Sequence, residues 1–340
     1  MFDQRTQTTV EQLDPLSPSA PLVYVVILNY NGAQLTLNCV DSVLKIEYPN
    51  FKAIVVDNAS TDDSVARFRE ALTDPRIELL INSQNEGYAG GNNRGIERAL
   101  ADGADYLFVL NNDTVADPGC LTPLVEAMQR DRRIGIAGCP LIDIGYESSP
   151  NCGQRIRLFS GRTSHWPYPE APLGPTDVDF VCGAAIMLRG ETLRRIGAFD
   201  ASFFLVCEDA DLCFRARKAG YRICFVPGSG VRHLMSATLK RFPPTIAFYG
   251  VRNRAWLIRR HGNLAHQLVF NVLGIFYFYP RAVLARLLRG EFELVRPVLK
   301  GIWEGYWRYP KPNLRVPSEL GRGSVANQSR GMGTAAPWHL

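Results

Sequence analysis

Strand-like and helix-like stretches alternate at short intervals over residues 22–110, and this alternation restricts the possible folds more than any other feature of the chain. Residues 22–28 form an unbroken, largely β-branched apolar run, which suits a strand buried on both faces. Residues 34–45 then show helical spacing, with Leu37, Val40 and Leu44 on one side. Residues 51–57 read as a second strand, and Ser60 is placed as the N-cap of a helix running to about Leu72. Residues 77–81 are a third strand, a glycine-rich turn opens a helix ending near Asp102, and 106–110 are a fourth strand. This spacing implies βαβ units, a parallel sheet and right-handed crossovers. The second half is less regular. Residues 180–188 are strand-like but broken at Gly183, 208–219 are a helix closed by Gly220, and 221–226 are another strand.

Polar clusters stand where these strands leave the sheet, the edge at which open α/β sheets bind ligands. They are Asn29-Tyr30-Asn31-Gly32, Asp57-Asn58-Ala59-Ser60, the stretch from Asn85 through Gly87 to Asn92 and Asn93, and Asn111-Asn112-Asp113-Thr114. One such cluster is explained by the turn preference of Asn and Asp. Four in register on one sheet are not. Asp57 suits the N3–H of a uracil or thymine ring, or equally an Asx-turn. Gly87, Gly90 and Gly91 allow close backbone approach to a ligand ahead of a helix start, or simply permit a turn. Asp113, near a diphosphate, suits Mg²⁺ or Mn²⁺, although a lone Asp there is better explained as a turn former. Glu208, Asp209 and Asp211 open a helix, where acidic residues are favoured by the dipole. The apolar run 203–206 before them can raise a carboxylate toward the range of a general base.

Composition sets limits on this reading. With 340 residues, 46% apolar and 21% charged, the chain is ordinary globular material and neither collagen-like nor wholly disordered. Eight cysteines without a CxxC pair fit reduced thiols in a cytosolic compartment better than a disulfide framework. The first twenty residues lack an apolar core, so no secretory signal is expected. No apolar run reaches about 18 residues, so no plain spanning helix is expected either. Residues 232–308 carry thirteen Lys and Arg against three Glu, a net +10, so the rest of the chain sums to −5. Such a basic third fits phosphates, a membrane surface or nucleic acid, or a merely solvated face. The expected organisation is a disordered lead (1–20), a catalytic domain (21–262), a basic aromatic helical extension (263–310) and a disordered tail (311–340). The apolar stretch 264–279, followed by Arg281, Arg286 and Arg289, suits an interfacial helix at the inner face of the plasma membrane, or a buried helix.

The segments VVILNYNG, IVVDNASTDDS, NEGYAGGNNRGI, FVLNNDT, FVCGAAIMLRGETLRRIGAFD and FFLVCEDADLCFRARKAGY, with His233, together resemble family 2 glycosyltransferases, in detail the rhamnosyltransferase-like branch. The resemblance covers about residues 22–262 in the expected order. It implies an α/β GT-A fold with a mostly parallel sheet, a nucleotide-sugar donor (dTDP- or UDP-linked), Mg²⁺ or Mn²⁺, and inversion at the anomeric carbon. It implies that Asn29 and Asn31 lie near the nucleotide, Asp57 recognises the base, and Asn92 and Asn93 contact the donor, with Asn85, Gly87 and Asn112 beside them. Asn111-Asn112-Asp113 stands in the DxD position, Asp113 and His233 are implied metal ligands, and Gly183 and Ala184 lie on the acceptor side. Asp209 is the implied base, assisted by Glu208. A saccharide or lipid-linked acceptor in cell-surface polysaccharide synthesis follows, with no nucleic-acid partner. The competing readings are a sugar nucleotidyltransferase, whose basic loop NYNG does not provide, and a non-catalytic sugar- or nucleic-acid-binding protein.

Overall fold

A computed structural model describes residues 20–143, 153–165, 172, 174–234 and 243–314. β1 (Val23–Asn29), α1 (Ala33–Val43), β2 (Phe51–Asp57), α2 (Ser64–Ala71), β3 (Ile77–Ile81), α3 (Gly87–Ala101) and β4 (Tyr106–Asn111) follow one another as the alternation predicts. β1 pairs in parallel with β2 on one side and β4 on the other, and β3 lies beyond β2. Next come β5 (Thr114–Ala116), α4 (Leu121–Arg130), β6 (Ile134–Gly138), β7 (Leu141–Asp143), β8 (Gln154–Arg157), β9 (Arg162–His165) and β10 (Thr176–Asp177). β11 (Ala185–Arg189), α5 (Gly190–Ile196), α6 (Glu208–Lys218), β12 (Arg222–Phe225) and β13 (Val231–His233) complete the α/β part. The main sheet has eight strands in the order β10-β12-β6-β11-β4-β1-β2-β3. It is mostly parallel, with β11 antiparallel between β4 and β6, and β10 antiparallel at one edge. The chain reverses direction across the sheet between β1 and β4, which opens a crevice at their carboxyl ends.

The continuous apolar strands are explained by two cores, one on each face. Val23, Val25 and Ile27 pack with α1 and α4, whereas Tyr24 and Val26 pack with α3. Burying a Val, Ile or Phe side chain contributes about 1.5–3 kcal/mol, so β1, covered on both faces, anchors the fold. Gly91 and Gly95 let α3 lie flush on this sheet. A Cβ at Gly91 would meet Leu28 at 2.6 Å, and one at Gly95 would meet Val26 at 2.5 Å.

Several boundaries differ from the sequence reading. Ser60 caps no helix, because its hydroxyl and N–H are engaged by Asp57, and α2 starts at Ser64. The strand expected over 180–188 begins only at Ala185, since 180–184 run as a loop past Gly183. Among the described residues, α7 (Pro243–His261) is the first helix after β13. α8 (Leu264–Leu288) is continuous, with a π-helical turn at Gly274–Phe278, and α9 (Phe292–Trp307) lies along α7. His266, Gln267 and Asn271 interrupt the apolar run in sequence but not the helix, and α8 is long and apolar enough to cross a membrane by length and composition. Of the expected tail, residues 311–314 are placed: Asn313 exchanges hydrogen bonds with the Asp200 carboxylate and the Ala201 main chain. The rest of the tail, and the lead over 1–19, lie outside the described residues.

Candidate active site

The ends of β1, β2 and β4 are tied together by a buried amide and hydroxyl network. Asn29 accepts from Thr36 Oγ1 at 2.8 Å and donates to Asp57 Oδ1 at 2.8 Å. Asp57 also accepts from the Ser60 hydroxyl and N–H. Both residues are fully buried, so the structure favours the Asx-turn alternative for Asp57 and makes Asn29 a brace. Asn31, at φ +53°, accepts the Thr61 N–H through its side chain and remains half-exposed at the mouth of β1. Asn112 donates to Thr36 from the end of β4 and is half-exposed as well. Asn58, to which sequence reasoning gave no role, links Asn82, Asn85, Glu86 and Gly87 and so fixes the loop that leads into α3.

The glycine-rich stretch serves the protein's own packing. Gly87, at φ +71°, passes the Phe204 ring so closely that a Cβ would stand 2.5 Å from it. A Cβ at Gly90 or Gly91 would likewise press on Glu86, Leu28 or Asn58. Asn93 is fully buried, and its amide donates to Phe199 O and accepts from Phe199 N–H, so it braces the chain at Phe199. Asn92 donates to Tyr88 O, while its buried Oδ1 has no partner. Asn85 accepts from Asn58 and the Gly87 N–H and is exposed.

A small sheet brings Asp113 and His233 together. β13 runs between β5 and β7, with His233 opposite Thr114 on one side and Asp143 on the other. His233 Nε2 stands 3.3 Å from Asp113 Oδ1, and Nδ1 is 2.9 Å from Asp143 Oδ1. Asp113 Oδ1 is buried and makes no hydrogen bond. Burial opposes the charged imidazole, but the two flanking carboxylates outweigh it and raise the His233 pKa above its ordinary value. Among the described residues no three His, Cys, Asp or Glu side chains are grouped to hold a metal ion. The donor set still suits a divalent cation that takes its other ligands from phosphate. It offers one unsatisfied carboxylate oxygen and one imidazole nitrogen, and Asp143 can orient the ring from behind.

The acidic helix start sorts into three different environments. Asp209 is half-buried; its Oδ2 accepts the Gly183 N–H at 3.0 Å and its Oδ1 the Ala210 N–H at 2.7 Å. Burial raises its pKa against the lowering effect of these bonds. Glu208 is buried with Oε2 unpaired, and burial followed by the Asp209 charge holds it well above the carboxylate range. Asp211 is fully buried and ion-paired with Arg215, Arg260 and His261, which hold its pKa far below the ordinary value despite burial. Tyr88 connects the two halves of the site. Its hydroxyl donates to Gly183 O at 2.7 Å, and burial, then the charges of Glu208, Asp209 and Asp113 among its neighbours, raise its pKa well above ordinary.

The loop before Glu208 is strained and clamped. Phe204, Val206 and Cys207 all have positive φ, a region that costs a non-glycine residue about 1–3 kcal/mol. Asn253 on α7 is fully buried and donates to the carbonyls of Phe203, Leu205 and Val206. Arg252 donates to Ser202 O and Phe203 O, and Phe204 stacks on Tyr249 at 5.0 Å. Sequence reasoning missed Tyr88, Asp143, Arg252 and Asn253, whose partners all lie far away in the chain.

A mostly parallel sheet with a polar crevice at its switch point, a carboxylate–imidazole pair on one side and a half-buried carboxylate on the other define a GT-A glycosyltransferase. The chain matches the profile of glycosyl transferase family 2 over residues 24–197 and belongs to that family. It is 28% identical over 231 residues to the N-acetylglucosaminyl-diphospho-decaprenol L-rhamnosyltransferase of Mycobacterium tuberculosis, covering 61% of this chain and 75% of that one. It is also 28% identical over 231 residues to the O-antigen biosynthesis protein RfbC of Myxococcus xanthus, 64% of this chain but only 18% of that much longer protein. The mannosyltransferase PcManGT of Pyrobaculum calidifontis, solved with GDP-Man and Mn²⁺, shares the fold. Its TM-score is 0.54 at 16% identity, over 85% of this chain and 88% of that one.

Proposed function

We propose that this chain is an inverting, metal-dependent glycosyltransferase of the cytoplasm. It moves L-rhamnose from dTDP-rhamnose to a hydroxyl of a saccharide or lipid-linked saccharide in cell-surface polysaccharide synthesis. The observation that carries this reading is the presence of two sets of groups: the Asp113–His233 pair after β4, and the Asp209 carboxylate at the start of α6, held by the Gly183 N–H and tied through Gly183 to Tyr88 of α3. A binding-only protein needs no such sets. The rhamnosyltransferase relative supports the sugar, and the seven described cysteines, all unpaired, support a reducing compartment.

The donor nucleotide lies over the carboxyl ends of β1 and β4, against Asn31, Asn85 and Asn112. Asp113 and His233 would hold a divalent cation, which would supply positive charge to offset that building on the departing diphosphate. Asp209 takes the proton from the acceptor hydroxyl as its oxygen attacks the anomeric carbon from the face opposite the leaving group. The Gly183 N–H fixes the Asp209 carboxylate for this step, and Tyr88 fixes Gly183 in turn. The unpaired oxygen of Glu208 serves to orient the acceptor.

The test is turnover of a panel of nucleotide sugars, including dTDP-rhamnose, UDP-glucose and GDP-mannose, with and without EDTA. The expected result is fastest turnover of dTDP-rhamnose, lost in EDTA and restored by Mg²⁺ or Mn²⁺. Preference for another donor overturns the sugar, and full activity in EDTA overturns the metal.

A further inference from the structure

Seventeen large hydrophobic side chains are exposed among the described residues, and fourteen of them lie between Leu264 and Trp307. A soluble surface scatters such residues singly, and a contiguous patch marks a contact. Of the most apolar 18-residue stretch of α8, only 11% is buried, so α8 is not a core helix. At about 100° per residue, the exposed positions of α8 cover more than half of its circumference, including Leu268, Phe276 and Leu288. A helix that docks on a second protein chain needs only a stripe, whereas one apolar over most of its girth needs an apolar medium. α9 adds the apolar Phe292 together with Trp303 and Trp307, whose amphipathic rings are of the kind that settle at a membrane–water boundary.

Charge and connectivity narrow the mode of contact. Arg281, Arg289, Arg296 and Arg308 are exposed beside this surface, and no ion pair among the described residues engages them. Both ends of α8 return to the catalytic body. At the first, Phe270 packs with Ala255 and Ile258 of α7, and Gln267 donates to Gly262 O. After the second, α9 runs back along α7, with Gly301 against Phe248 and Gly305 against Ala255. α8 cannot leave one end on the far side of a bilayer without pulling α9 off α7.

We infer that α8 and α9 form a non-spanning platform that embeds in the surface of an anionic lipid bilayer. Their apolar and aromatic side chains enter the headgroup–acyl boundary, and the arginines contact acidic headgroups. This fixes the catalytic domain beside the membrane and stands whichever sugar is transferred.

The experiment is flotation of the full chain with vesicles of phosphatidylcholine containing about 30% phosphatidylglycerol, and with phosphatidylcholine alone, at low and high salt. Wild type is expected to float with the anionic vesicles at low salt and to lose at least about threefold of the bound fraction at high salt. The double variant Phe276→Glu/Leu288→Glu is expected to bind at least about tenfold more weakly, with unchanged melting temperature and unchanged hydrolysis of the nucleotide sugar in water. Those two controls separate failure of this inference from failure of the enzymatic reading. Absence of flotation at low salt overturns the platform. So does a dimer in light scattering that the double variant dissociates while vesicle binding is absent, because a second copy then covers the face.

Discussion

Glu208 is buried with an unpaired oxygen, Asp209 is half-exposed and held by main-chain N–H groups, and Asp211 is locked between two arginines and the His261 ring. Three acids in four residues therefore answer differently to the same change. Asp209→Asn is expected to fold, to bind the donor nucleotide and to transfer at least about a hundredfold more slowly, as for loss of a general base. Asp211→Asn should instead lose about 3 kcal/mol of stability, because it leaves Arg215 and Arg260 buried with too few partners. Transfer rate at saturating donor, measured beside a denaturant melt, separates the two, and the assignment falls if Asp209→Asn turns over normally. Glu208→Gln makes a further prediction. With its pKa raised by burial, Glu208 binds a proton more readily folded than unfolded, so its contribution favours the native state at low pH and is lost as pH rises. Gln removes that penalty, so the variant should melt a few degrees higher than wild type at pH 7 and equal to it near pH 4. A gain that persists at pH 4 would mean that a different effect is at work.

At the scale of elements, the alternation of β1 to β4 was legible because both cores demand it: strands covered on two faces become unbroken apolar runs. The polar strand ends were legible as a cluster but not as individual roles. Asn29, Asp57 and Asn93 look like ligand contacts in a list of letters, and only the fold shows that their polar atoms are already used by Ser60, Thr36 and Phe199. The glycines of α3 were ambiguous for the same reason, since a close approach to the sheet and one to a ligand both require Gly. Gly95→Ala tests this. Alanine should favour a helix by about 1 kcal/mol, yet its Cβ meets Val26 at 2.5 Å, so net destabilisation of about 1–3 kcal/mol is expected in a denaturant melt. Stabilisation would show that α3 can slide. Asn253 had no signal in the sequence, because its three carbonyl partners lie 47 to 50 residues earlier. Asn253→Ala is expected to lower the rate of transfer at saturating substrates at least about tenfold while leaving donor KM within about threefold, since the loop it holds aims Asp209 and not the nucleotide. Equal loss in both would make Asn253 a general structural residue.

Over the whole molecule, the catalytic body and the helical layer are joined by one buried polar seam. Asp211 and Asp200 both bind Arg260, and His261 stacks on Phe214 at 4.9 Å while its Nε2 lies 2.8 Å from Asp211. Burial depresses the His261 pKa, and the cations around Asp211 depress that of the carboxyl. Both groups resist protonation in the folded state. Their contribution is present above the ordinary His range and is lost as pH falls through about 6.5 for His261 and about 3.9 for Asp211. In the Glu208→Gln background, where one opposing carboxylate is gone, the melting temperature should therefore fall more steeply below pH 6.5 than in wild type. A flat profile to pH 5 would separate His261 from the seam's stability. The seam was not legible in sequence, where these residues are spread over sixty positions and each reads as an ordinary surface charge. The last strand of contact, Asn313 on Asp200, has a consequence in time. The two residues are 113 positions apart, so a ribosome adding about 5–20 residues per second completes Asp200 many seconds before its partner exists. The sheet and the nucleotide crevice can form on the nascent chain during that interval, but α7 and Asn313 reach the loop that carries Glu208 and Asp209 only later. A growing chain thus passes through a stage in which the sheet has its strands but the loop ahead of α6 still lacks its clamp.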